Sequence, residues 1–535
     1  MKKQAYIATV LSAAIFLAAC EGDDGLDGLD GADGSDGFNA LVAVRDIPRG
    51  DAVCLGGGTA LDSGLDTNRN DILDAGEVTA SEILECAATP TLRALHASPD
   101  APAVNIWVNG APALTGVDYT MGSGFVPVIE ENTVEVEAII PGGNAVVIDT
   151  PFNPEYSTET TVIATRNLAD NGGVPFPLVI TNPSDERITE GYFRAQVVHA
   201  SPSAPEVDVY VTTPGADLAG SAPITMDDPL EFEEFMEERL EAPAGTYQIR
   251  ITLAGDTDAV VWDSGDTGIA LPAGADLMIV AVENQGPGDT PVQLIVLDGT
   301  TASILYDANT PASVVAAHLS PDAPAVDLLA DATATPEDDM VPLVSNVSFG
   351  QFCDISVPAP GEYIINVALN DGGAIAYSTD PLSFAQGDEA LAIVSGFATP
   401  GLDPALTDIT LPGNTRSVLT ETKLRITHSS PSTPAVDIKI VARGDGFGGD
   451  AILMWEDVVF GMDTTQLSVP MGNYDAYVAV ADAAEPAISV EGLLDFTGGE
   501  VLDVVAIDGE GGPELLILDY SDEGNVAACG APAPM

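Results

Sequence analysis

His96, Ser98 and Asp100 lie within five residues of one another. A base, a hydroxyl nucleophile and an acid are the side chains of a hydrolytic triad. The chain has only four histidines in 535 residues, and all four open the same phrase. It reads "HASPDAPAVNIWVNG" from His96, "HASPSAPEVDVYVTTPG" from His199, "HLSPDAPAVDLLADA" from His318 and "HSSPSTPAVDIKIVARG" from His428. The variation between copies argues against catalysis. Asp100 is replaced by Ser203 and Ser432, and the later acid Asp208 by Asn105. A serine two residues from its base along one strand end has no evident oxyanion hole, and no glycine-flanked serine elbow occurs. A histidine metal centre fares no better, because each copy supplies one imidazole. We therefore expect no enzyme. The histidines of the four phrases are expected to brace joints, each ring hydrogen-bonding the "SP" turn and pinning its geometry.

A second constellation is "DTNRNDILDAGE", Asp66 to Glu77. Asp66, Asn68, Asn70, Ile72 (through its carbonyl), Asp74 and Glu77 fall at the liganding positions of a twelve-residue calcium loop. Hard cations need several oxygens converging on one point, and short carboxylates and amides on a tight loop provide them. Asp71 stands where glycine normally makes the sharp turn. The residues before the loop are not helical in pattern, whereas "EVTASEILEC" after it suits an exiting helix. The expected cofactor is Ca2+, in a loop similar to the single-helix calcium loops of bacterial surface proteins.

The elements that hold these residues are read from periodicity. Leu424, Ile426 and His428 share one face of a strand, as do Val314, Ala316 and His318. "SPDAP" is a turn, since each proline fixes φ and forbids helix. Alternation then resumes, with Val104, Ile106 and Val108, Val207, Val209 and Val211, and Val436, Ile438 and Ile440 facing inward. Asn105, Asp208, Asp327 and Asp437 face outward, as do Trp107 and Tyr210, which would suit sugar stacking there. The phrase recurs at intervals of about 110 residues, which is a domain and not a solenoid unit. "LEFEEFMEERLEAPAG" looks helical by propensity, but its register with "VSFGQFCDISVPAPG" and "VVFGMDTTQLSVPMG" argues for strand.

Composition bounds the function. Hydrophobic residues make up 46% of the chain and aromatics 6%, with 53 glycines and 39 prolines, which suits many short strands joined by turns. Sixteen basic residues face 83 acidic ones, a net charge of −67. Such a surface repels nucleic acid and attracts cations, and it suits solvation in a salty habitat. Met1-Lys2-Lys3, an apolar stretch from Ala5 to Leu17 and "LAAC" ending at Cys20 have a signal peptide's layout. The small residues before Cys20 resemble the lipobox of bacterial lipoproteins. That resemblance implies cleavage before Cys20, its acylation and a membrane anchor, with Glu21 favouring the outer membrane. Gly22 to Gly37 reads as a flexible acidic tether.

Four cysteines remain, an even number for an oxidising compartment. They allow three pairings. Locality favours Cys54–Cys86, leaving Cys353–Cys529.

The motif "V-H-x-S-P-x-A-P-x-V-D-V-Y-V", clearest at Val198 to Val211, resembles the start of a domain family of unknown function. That family occurs in tandem in secreted and anchored bacterial proteins. The resemblance covers about four-fifths of the chain. It implies immunoglobulin-like β-sandwich modules and no activity. The Cys54–Cys86 unit resembles small lipoprotein-proximal domains.

The expected fold is mostly β: four tandem immunoglobulin-like sandwiches in series after a small disulfide and calcium-loop domain. The expected divisions are a signal peptide at 1–19, the acylated cysteine and tether at 20–37 and the small domain at 38–88. The four repeats follow at 89–190, 191–310, 311–419 and 420–528, then a tail at 529–535. Together these describe a lipid-anchored rod in the cell envelope, structural or adhesive in role, whose partners are the membrane and cell-surface proteins or glycans. The alternative is an envelope protein binding glycans or divalent cations.

Overall fold

The protein is described here from a computed structural model covering residues 37–48, 51–54, 57–128, 132–184, 186–225, 228–332, 340–357, 361–369, 374–481, 483–509, 511–521 and 529. Cys20 and the signal, tether and tail segments other than Gly37 and Cys529 lie outside them. The chain divides into two compact units, Met1–Cys86 and Ala87–Met535. Strand dominates both. The one helical element among the described residues is the single 3-10 turn Leu218–Gly220.

The first unit is a three-stranded antiparallel sheet of Asn39–Ile47, Gly58–Asp66 and Val78–Cys86. Ile47, Cys54 and Ala60 form its small buried cluster, and Cys54 is joined to Cys86. The helix expected after Glu77 is the third strand. Pairing with Gly58–Asp66 overrides local propensity, because the hairpin supplies cross-strand hydrogen bonds along the whole segment.

The second unit holds four β-sandwiches in tandem, each built from two sheets. The strand orders agree except in the second module, where among the described residues one sheet gains an edge strand and the other lacks one. The fourth shows it most regularly. One sheet runs in the order Leu467–Pro470, Glu421–His428, Val501–Gly509, Gly512–Asp519. The other runs Ala451–Val458, Val436–Ala442, Gly472–Val480, Ile488–Phe496. In every module the strand ending in histidine is central and pairs in parallel with a late strand. The histidine partners across these parallel ladders are Ala164, Ala281, Val394 and Ala506. The "SPxxP" turn then carries the chain across to the other sheet, so each phrase is the corner of a sandwich.

Alternation accounts for one face of the first strand. Leu424 and Ile426 enter the fourth module's own core, and Val314 and Ala316 the third's. The other face is also buried. Leu95 and Ile163 of the first module pack with Val198, Val280 and Ile295 of the second. Val315, Ala317 and Ile393 of the third pack with Val505, Ile507 and Leu518 of the fourth. The modules therefore join in pairs, sheet face on sheet face.

The pairs are joined in turn. The Arg416 guanidinium, in the connection to the fourth module, donates to the carbonyls of Pro99 and Ala101 and pairs with Asp118, all in the first. The end-to-end rod of modules does not form, because the outer faces of these sheets are apolar and bury against one another. The segment 230–239 is not helical. It makes isolated bridges, Leu230 with Val207 and Phe235 with Val198, before the short strand Leu240–Pro243.

Ile295 lies in the interface of the first pair and is fully buried. Ile295→Ala is expected to lower unfolding free energy by about 2–5 kcal/mol, read from urea denaturation. A change no larger than an exposed Val146→Ala control would contradict the inter-module core.

Candidate functional site

The four histidines are nearly inaccessible, each at 2% exposure or less. Nε2 lies against the carbonyl of the second proline of its own turn. The partners are Pro102 at 3.0 Å, Pro205 at 3.1 Å, Pro324 at 3.0 Å and Pro434 at 3.2 Å. A carbonyl only accepts, so Nε2 carries the proton and Nδ1 is left as an acceptor. In three modules Nδ1 receives the backbone N–H of the serine two residues on, at 3.4 Å from Ser201 and Ser320 and 3.3 Å from Ser430. In the first module His96 Nδ1 has no partner. Burial lowers the pKa of all four imidazoles, that of His96 to about 4.

The triad side chains are brought near but not into a triad. Ser98 donates its hydroxyl to the carbonyl of Arg166 at 2.5 Å. Asp100 accepts the N–H groups of Leu168 and Ala169 at 2.6 and 3.1 Å. Asp322 does the same with Ala398 and Thr399 in the third module, at 2.6 and 2.9 Å. In the fourth module Ser432 replaces this aspartate and donates to Asp508 at 2.8 Å. The Asp-to-Ser variation thus preserves one tie between the turn and the end of the parallel strand, with donor and acceptor exchanged.

The outward acid of the phrase also has a structural partner. Asn105, Asp327 and Asp437 accept the N–H of Gly116, Asn346 and Asp457, at 3.1, 2.8 and 2.9 Å. Those three residues have φ of 65°, 61° and 55°, so the side chain holds a left-handed residue in the neighbouring strand. Asp208 instead receives Thr225 Oγ1 and Gly255 N. Sequence reasoning placed these acids outward without finding this role. The signal was the constancy of a short acceptor side chain at one strand position.

Tyr210 is not on the surface; it is 3% exposed. The loop after its strand folds back over the sheet. Gln248 accepts from Gly215 N, and Arg250 donates to the carbonyl of Ala216. Trp107 is half-buried, so an outward aromatic platform for sugar is not formed by this pair.

In the acidic loop, Asp66 and Glu77 are buried, while Asn68, Asn70, Asp74 and the Ile72 side chain are outside or at the rim. Asp66 accepts the N–H of Asn70 and Asp71, at 3.0 and 2.9 Å. Asp71 has φ of 60°, the conformation glycine usually supplies at that position. Glu77 Oε1 collects Thr67 N, Thr67 Oγ1 and Asn68 N. Asp74 receives the amides of Asn68 and Asn70. The hard oxygens of a calcium loop are all present, and donors of the loop itself fill the side-chain oxygens of Asp66, Asn68, Asn70, Asp74 and Glu77. Among the described residues no three His, Cys, Asp or Glu side chains converge as a metal-holding group.

The remaining cysteines are paired as Cys353–Cys529. Six of the sixteen basic residues are interior: Arg93, Arg194, Arg250, Arg416, Lys423 and Arg425 are all buried. Arg425 pairs with Asp503 at 2.6 Å, both below 3% exposure. Burial of these cations leaves a surface dominated by carboxylates.

Residues 90–210 and 312–439 match the family described as Domain of unknown function (DUF4397), and residues 39–84 match Domain of unknown function (DUF7151). Each DUF4397 match spans an odd-numbered module and the first two strands of the next. It therefore covers the "HxSP" corner twice, just under half of the chain in all. No curated protein matches the chain. A solved structure, "The Bacillus anthracis TIE protein", aligns over 88% of this chain and 75% of its own. Its identity is 11% and its TM-score 0.15, too low to carry an argument.

The neutral imidazoles give a pH signature. Unfolded histidine takes a proton near 6.5, folded His96 only near 4. Above 6.5 both are neutral and nothing is contributed. Between these values the unfolded chain binds more protons, so stability falls as pH drops. For His96 the loss is on the order of 3 kcal/mol. Urea unfolding across this window should show that slope, and His96→Asn should remove its share. An unchanged slope would mean that His96 titrates freely.

Proposed function

We propose that this chain is a non-enzymatic, lipid-anchored cell-envelope protein whose sandwich modules form a structural or adhesive body. The observation that carries it is the commitment of every histidine to its own turn, with Nε2 held on a proline carbonyl. The Ser98 and Asp100 groups beside His96 are spent on backbone of the loop after the parallel strand. The repeated DUF4397 matches support a tandem β-domain protein. In this proposal acylated Cys20 holds the chain to the outer membrane, and the acidic body stands off it. Partners are met through loops and carboxylate-rich faces, and nucleic acid is repelled.

Divalent cation binding is the second reading, and the acidic loop favours it. Asp66 already braces the turn at Asn70 and Asp71 as a first calcium ligand does. We propose that Ca2+ exchanges the internal donors of Asp66, Asn68, Asn70, Asp74 and Glu77 for itself, with the Ile72 carbonyl completing the set.

Metabolic labelling with an alkyne fatty acid should tag the wild-type chain and spare Cys20→Ala. Label retained by the variant, or membrane release without loss of label, would refute the anchor. Titration calorimetry with calcium should give heat that Asp66→Ala abolishes. Equal heats from both proteins would remove the metal.

A further inference from the structure

The four sandwiches differ in how one level of the interior is filled. In the second module Trp262 stands opposite Ile251, and in the third Tyr377 stands opposite Val367. In the fourth Trp455 stands opposite Ile438 on the neighbouring ladder. Each of these aromatics packs on its module's core. The matching positions of the first module are Ile148, opposite Val136, and Leu114, opposite Ile106. Among the described residues no aromatic fills that level. A cavity of about 70 Å³ remains, walled by Val104, Ile106, Val136, Ile148, Val162 and Leu168. About 10–15 Å³ of such volume holds one water, so this space takes several non-hydrogen atoms, and its apolar wall disfavours water. Two lining residues next to it in sequence, Gly173 and Pro175, flank Val174, and Phe176 follows; these two apolar side chains are 40% and 37% exposed.

Two residues lining the cavity also carry a buried polar atom without a partner. His96 and Thr420 both line it, and His96 Nδ1 and Thr420 Oγ1 are buried with no hydrogen bond. Thr420 comes from another part of the chain. Its segment is fixed on the first module by Arg416 and by Leu419 N donating to the Asp100 carbonyl at 2.9 Å. A buried polar atom left unpaired is costly, and a ligand that pairs it recovers that cost.

We propose that the interior of the first sandwich binds a small neutral alcohol, its apolar body in the cavity and its hydroxyl between His96 Nδ1 and Thr420 Oγ1. His96 Nε2–H is held by Pro102, so Nδ1 accepts and the ligand must donate. The Thr420 hydroxyl then donates to the ligand oxygen. A carboxylate of equal length offers no proton to Nδ1. It would also carry a charge into an apolar wall, in a chain of net charge −67.

Calorimetry of the full chain with 1-hexanol tests this. One hexanol should bind per chain, and hexanoate above neutral pH should bind about tenfold more weakly or worse. Thr420→Val should weaken hexanol about threefold or more while leaving benzene binding unchanged. Ile148→Trp and Leu114→Trp install the aromatics of the second and fourth modules, and either should abolish binding in a folded protein. Absence of hexanol binding to the wild-type chain overturns the proposal. So does undiminished binding in a folded tryptophan variant. If neither variant folds, intermolecular NOEs from hexanol to the Ile148 and Leu168 methyls support the site, and their absence refutes it.

Discussion

The central strand of each sandwich is buried on both faces, and the rest of the large unit follows from that. A strand has two faces because successive side chains point opposite ways. In an isolated sandwich one face meets the core and the other meets water. Here Leu424 and Ile426 fill one core while Arg425 and Thr427, on the opposite face, are as deeply enclosed. Phe352 and Leu391 likewise serve a cluster shared with the next module. Apolar area buried between modules contributes roughly 25 cal/mol per Å², the same driving force that builds each core. The modules are therefore subunits of one body, and their boundaries are packing surfaces more than linkers.

Charge is distributed to suit that arrangement. A chain with few cations places many of them where modules meet. Arg93 is enclosed near Glu159, Asp276 and Asp298, and burial lowers its pKa to about 10. Lys423, enclosed beside Arg416, is lowered to about 8. Arg194 and Arg239 share Asp276 and Glu186. Such pairs act chiefly by leaving no buried charge uncompensated. Most of the other carboxylates lie outside, where water and counter-ions solvate them.

The corners were the most legible part of the sequence. A histidine ending an apolar row, a serine and two prolines describe a crossing between sheets, and the ring bonds that turn in all four modules. The segment Val78–Cys86 was misread as helix because its glutamates and leucine suit one. The partner strand that decides otherwise is contacted only after folding. Tyr210 was misplaced for a related reason. Period two identifies its face, but the loop that returns over that face is specified by Gln248 and Arg250 on a different strand.

By itself, the sequence determined the β class, the tandem repeats, the acidic surface and the inward rows, since each follows from composition or from a period of two. Tertiary structure alone decided that the second face of each histidine-bearing strand is also buried. It decided that the sandwiches pair face to face, and that Arg416 ties the end of the third module to the first. Those outcomes depend on which residues meet across hundreds of positions. Continuous runs such as "AQVVH" and "SVVAAHL" carried the hint. An apolar run marks a strand buried on both faces, but it does not name the surface that covers the second one.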